Sequence, residues 1–153
     1  MTKIKANHYI DTTVFHLEEA LNSFKAYATK YFNNLHIGIT SEQFVLLDSI
    51  YCNPGISQKE LAELTIKNLS NVTRMLSILE EKNLVYREID KKRNYLIKRL
   101  YLTSEGKALI DDNISDIKDI FSTVFENFSE KDIEKFKELA DRFKKNFSKN
   151  PKF

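Results

Sequence analysis

A chain of 153 residues with 42% hydrophobic side chains has enough apolar material for one compact core, and its 30% charged fraction suits a helix-rich protein in water. The net charge of +2 carries no overall bias toward nucleic acid, no run approaches the roughly 18 apolar residues of a transmembrane helix, and the opening MTKIKANHYIDTT lacks the apolar stretch of a signal peptide. A single cysteine, Cys52, excludes an intrachain disulfide and points to a reducing interior, so the expected location is the cytoplasm.

The first predicted element is a long helix with apolar residues at Ile10, Val14, Leu17, Leu21, Phe24, Ala28, Tyr31 and Leu35, alternating steps of four and three. So regular a seam calls for another helix along its length, and Gly38 is placed to end it. A second helix opens with the capping box Thr40-Ser41-Glu42-Gln43, buries Phe44, Leu47, Ile50 and Tyr51, and stops at Asn53-Pro54-Gly55. A third opens with the capping box Ser57-Gln58-Lys59-Glu60 and buries Leu61, Leu64 and Ile66. A fourth, capped by Asn68, buries Val72, Leu76 and Leu79, and Asn83 supplies its left-handed end. The period then drops to two on both sides of a charged tip, Asp90–Asn94, which predicts a β-hairpin whose second strand is Tyr95–Leu102. Thr103 ends the hairpin and caps a fifth helix. Ile110, Ile114, Ile117, Phe121, Val124 and Phe128 form a second seam, Ser129–Asp132 punctuates, and Ile133, Phe136, Ala140, Phe143 and Phe147 form a third; the basic tail from Lys144 is expected to fray.

Helix, turn, helix and basic hairpin is the layout of a winged helix-turn-helix, which places its second helix in the DNA major groove. The stretch from Lys82 to Arg99 carries seven cations against two anions, an electrostatic footprint suited to phosphates. The expected fold is mainly α with a small β-hairpin wing. It is read as one domain, 1–153, with a dimerisation helix (8–37), a winged helix-turn-helix (40–103), C-terminal dimerisation helices (104–148) and a frayed tail (149–153). Seams at both ends imply a homodimer, whose two reading helices would stand about 34 Å apart, one turn of B-DNA.

These residues resemble the MarR (multiple antibiotic resistance regulator) family over nearly the full length. The second helix carries Ile39-Thr40-Ser41-Glu42-Gln43-Phe44-Val45-Leu46, similar to the family's Thr-x-x-Gln-aromatic-x-x-Leu. The segments SQKELAEL from Ser57, Val72–Leu76 and Leu79–Val85 come next in family order, and Leu102-Thr103-Ser104-Glu105-Gly106 is similar to Leu-Thr-x-x-Gly. Asn83 stands where the family has Gly. The wing, Asp90-Lys91-Lys92-Arg93-Asn94-Tyr95, lacks the second acid and last arginine of the family's Asp-x-Arg-Asp-x-Arg and is one residue longer.

The resemblance implies a sequence-specific transcriptional regulator of double-stranded DNA, by default a repressor, acting as a dimer on a pseudo-palindrome. Ser70, Asn71, Thr73 and Arg74 would read base edges, since Arg grips guanine in a fork, Asn pairs with adenine and Thr meets a thymine methyl. Ser57, Gln58 and Lys67 would hold phosphates, and Lys91, Lys92, Arg93 and Asn94 would form the wing contact, with Arg93 first and Lys92 second in the minor groove. Relatives respond to small aromatic effectors or to cysteine oxidation. For the second route Cys52 is the sole candidate, although it reads as a buried structural thiol without a neighbouring cation. His8, His16 and His36 have no metal-ligand spacing, no cofactor is expected, and none of the three glycines builds a phosphate loop, which argues against an enzyme. The competing reading is a winged helix turned into a protein-interaction module.

Overall fold

The structure, a computed structural model, describes residues 8–92 and 95–148, which form six helices and a three-stranded antiparallel sheet. The described residues fall into two compact units, one ending at Ile114 and the other beginning at Ser115.

In the first unit a short 3-10 turn, Tyr9–Asp11, precedes α1, Thr13–Leu35. Thr12 caps α1 by accepting the Phe15 N–H at 3.2 Å, so Ile10 lies in the 3-10 turn rather than on the predicted seam. The helix ends on His36, itself left-handed at φ 53, two residues before Gly38. Of the seam only Ala28 is buried, joined by Phe32, whose ring meets Phe44 of α2 edge-on at 5.6 Å. Val14 and Leu21 are exposed.

The helix α2, Ser41–Cys52, has the expected reciprocal cap: Thr40 Oγ accepts the Gln43 N–H at 3.2 Å, and Gln43 Oε1 accepts the Thr40 N–H at 2.9 Å. That second bond is what allows Gln43 to be buried. Leu46, Leu47 and Ile50 are fully buried, but Tyr51 is 40% exposed, contrary to expectation; its hydroxyl donates to Asp111 at 2.9 Å and so keeps to the polar side of the helix. The helices α3, Gln58–Leu64, and α4, Leu69–Glu81, complete the core with Leu61, Val72, Leu76 and Leu79, all fully buried. Each contributes about 1.5–3 kcal/mol.

Leu64 and Ile66, expected inside, are exposed because α3 ends at Leu64 and the chain turns away. Ile66 takes φ 51, while the Lys67 N–H reaches Ala62 O at 3.0 Å and the Ile66 N–H reaches Glu63 O at 3.3 Å, closing α3 in a Schellman turn. A β-branched residue in the left-handed region is strained by about 1–2 kcal/mol. Ile66 is 73% exposed and recovers little of this by burial. Ile66→Gly is therefore expected to raise stability by about 1 kcal/mol, read as a higher urea midpoint; a lower midpoint would contradict the strain.

The sheet has the order β1-β3-β2. β2, Val85–Lys92, and β3, Tyr95–Leu102, pair without a slip from Val85↔Leu102 to Lys92↔Tyr95. Asp90, Lys91 and Lys92, expected in the tip, therefore belong to the strand, and only positions 93 and 94 connect the two. The short β1, Ile56–Ser57, has no counterpart in the sequence pattern: two residues carry no period, and only the ladder to Leu100 and Arg99 reveals it. Asn83 is left-handed at φ 56, as predicted.

The helix α5, Ser104–Val124, starts from Thr103, whose Oγ accepts the Gly106 N–H at 3.0 Å and whose hydroxyl donates to Asn83 O at 2.7 Å. Ile110 is buried in the first unit.

In the second unit α5 ends at Val124, so Phe128 lies beyond it in the connection, where Asn127 has φ 70. Ser129 and Asp132 cap α6, Glu130–Ser148, reciprocally; the helix runs four residues past Lys144, where fraying was expected. Phe125 meets Phe128 and Phe136 at ring distances of 5.7 and 6.2 Å. Along α6 the seam residues Phe136, Phe143 and Phe147, with Leu139, stand exposed.

Candidate nucleic-acid interface

Asn68 sets the start of α4 by accepting the Asn71 N–H at 2.8 Å. Burial of Val72, Met75, Leu76 and Leu79 fixes the rotation of the helix and turns its other side to solvent. Ser70, Asn71, Thr73 and Arg74 are all exposed. At about 100° per residue, Ser70, Thr73 and Arg74 share the outward face, with Leu69 at one edge and Asn71 at the other, about 160° from Leu69. Leu69, three residues before Val72, fits the buried spacing and so gives no sign of a reading role in the sequence; it is 51% exposed.

These side chains differ in what remains available to a ligand. Thr73 Oγ donates to Leu69 O at 2.7 Å and accepts from Gln58 Nε2, so its hydroxyl is spent on the fold. Arg74 makes no hydrogen bond or ion pair with any described residue.

The other two arginines described in the winged helix are committed internally. Arg87, on the inner face of β2, has Nε 2.8 Å from Glu80 Oε1 of α4. The N–H points off that line, leaving a charge contact without a directed hydrogen bond. Arg99, on the outer face of β3, donates to Gly55 O at 3.2 Å and lies 3.5 Å from Glu60 of α3 and 3.7 Å from Asp90. Their side chains are only 20% and 24% exposed. The two pairs fasten the wing root to both helices of the helix-turn-helix. They also remove two of the seven cations from the footprint, because Glu80 and Glu60 lie outside the window in which the charges were counted. Glu60 is held below its ordinary value first by the hydroxyl and N–H of Ser57 and further by Arg99, so the carboxylate of this pair is ionised at neutral pH.

Of the expected phosphate contacts, Ser57 uses its hydroxyl to accept the Glu60 N–H at 3.3 Å and its own N–H to reach Glu60 Oε2 at 2.8 Å. Gln58 bridges to Thr73, and the Lys67 ammonium pairs with Glu42 at 3.1 Å. All three sit at the helix-turn-helix, each with an internal partner. Lys91 and Lys92 lie in β2, and Arg93 and Asn94 lie outside the described residues. Cys52 is exposed at the end of α2, which corrects its reading as a buried structural thiol: α2 turns the Tyr51–Cys52 end of its last turn outward.

A trihelical core carrying a hairpin wing, with a polar helix face beside it, defines a winged helix-turn-helix protein. The MarR family model matches residues 39–92, the segment from two residues before α2 to the end of β2. The chain is 33% identical over 73 residues to the HTH-type transcriptional regulator YybA of Bacillus subtilis, covering 48% of each; it spans about half the length of the curated relatives it matches. Among solved structures, the transcriptional regulator SlyA is 25% identical with a TM-score of 0.76, over 90% of this chain and 95% of SlyA. The Staphylococcus aureus MepR–DNA complex is 22% identical with a TM-score of 0.78, over 92% of this chain and 99% of MepR. The chain is a winged helix-turn-helix protein, similar to the MarR family over residues 39–92 and to SlyA in fold.

Proposed function

We propose that this protein is a sequence-specific double-stranded DNA-binding transcriptional regulator, a repressor by default, acting as a cytoplasmic homodimer on a pseudo-palindromic site. One observation carries the reading. Arg74 stands exposed and without a partner among the described residues on the outward face of α4, whereas Arg87 and Arg99 are spent on holding the wing in place. An arginine kept free beside Ser70 and Thr73 suits the fork to guanine O6 and N7. Ser57, Gln58 and Lys67 would contact the flanking phosphates on exchanging their internal partners, and the wing, Lys91 to Asn94, would meet the minor groove.

The exposed apolar residues of α1 and of α6 support dimerisation, because each helix leaves a row of large side chains in water. No catalytic role is assigned. A small aromatic effector that alters DNA affinity is the expected signal by likeness to the family, and the exposed Cys52 keeps an oxidative route open to test.

The test is a fluorescence-anisotropy titration of the purified protein onto the intergenic DNA upstream of its own gene, beside a random duplex of equal length. Tight binding to the first that survives competitor DNA is the expected result. Absence of binding to either duplex at low salt would transfer the wing and α4 to a protein partner.

A further inference from the structure

We propose that Leu69 is a specificity-determining residue that reads the 5-methyl group of a thymine in the major groove, so that the bound half-site favours thymine at one defined position. The inference rests on the reading of α4 as the base-reading helix and adds to it a residue of the opposite chemistry. Leu69 is the first residue of α4, at the helix end that leads into the groove, and it is 51% exposed beside Ser70 and one turn from Thr73.

An exposed leucine alone is ordinary on a protein surface, but three further observations give this one a partner. Ile66, 73% exposed, shares with Leu69 and Ala62 a hollow that Lys59, Glu63 and Lys67 also line, so an apolar strip continues from the turn onto the helix between charged neighbours. Ile66 keeps this place at φ 51, where Gly or Asn would relieve the backbone, which is the kind of local strain that marks a functional surface. Thr73, with its hydroxyl engaged by Leu69 O and Gln58, has only its methyl and a remaining lone pair to offer. Leu69 and the Thr73 methyl thus make one apolar edge, continuous with Ser70 and Arg74. In the major groove the sole apolar group on a base edge is the thymine methyl.

The experiment begins by selecting the best-bound duplex from a random pool with the full-length protein. Each thymine of the half-site is then replaced singly by deoxyuridine, which removes the methyl and leaves base pairing unchanged. The parent is expected to lose about fourfold in affinity at one position for the methyl that Leu69 covers. Leu69→Ala, a change at an exposed site, is expected to abolish the loss at that position and keep any others. A parent indifferent to uracil at every position overturns the proposal without a variant, and so does a Leu69→Ala protein that retains the whole uracil profile. If the parent enriches no duplex from the pool, the base-reading role of α4 falls, and the proposal with it.

Discussion

Arg74→Ala is expected to weaken binding to the specific duplex by about 1–3 kcal/mol while leaving affinity for random DNA almost unchanged. The asymmetry comes from where the charge sits. Arg74 projects from the face that Val72, Leu76 and Leu79 turn outward, in the second turn of a helix whose start is fixed by Asn68, and no described group competes for its guanidinium. A fork donor in that position gains its full energy only against a matching base edge, so removing it costs the matched complex most. Anisotropy titrations on the selected and random duplexes read the two losses separately. Equal losses on both would make Arg74 a phosphate contact and move base reading elsewhere on α4.

The second large effect concerns stability. Gly106→Ala is expected to cost about 3 kcal/mol, the upper end of overpacking penalties. A Cβ at Gly106 would lie 2.1 Å from the backbone oxygen of Leu84 and 3.0 Å from its carbonyl carbon. The obstacle is main chain, held in place by the Thr103 N–H on the same Leu84 oxygen at 3.1 Å and by the Thr103 hydroxyl on Asn83 O, so no side chain can swing aside. This corner joins the end of α4, the start of β2, the end of β3 and the start of α5. The measurement is the urea midpoint of the variant against the parent, at constant slope; a loss below about 1 kcal/mol would show that α5 can retreat from Leu84 at little cost.

The Leu-Thr-x-x-Gly motif at residues 102–106 is visible in the sequence, but its physical reason is not. Glycine is needed there for closeness to the Leu84 carbonyl, which lies on the far side of the whole hairpin, and no local pattern encodes that. The helix starts are legible for the opposite reason: Thr40 with Gln43, Ser57 with Glu60 and Asn68 each satisfy donors within three residues of themselves. Periodicity holds along α4, where Val72, Leu76 and Leu79 are buried, and fails at helix ends. Leu64, Ile66 and Leu69 all continue an apolar spacing yet face water, because the turn between α3 and α4 changes the direction of the chain. The basic footprint is overcounted in sequence for a similar reason. Arg87 and Arg99 look free along the strands, and their partners Glu80 and Glu60 come from helices folded against the sheet. The expected wing tip starts too early because Asp90 to Lys92 read as a turn by charge, while the register carries them as strand.

Hydroxyl-radical footprinting of the protein on its selected duplex tests the central claim most directly. Two reading helices held by one dimer predict two protected segments on one face of the DNA, centred about one helical turn apart, both disappearing together as salt is raised. A single protected segment at saturating protein, or uniform protection along the duplex, would contradict the account.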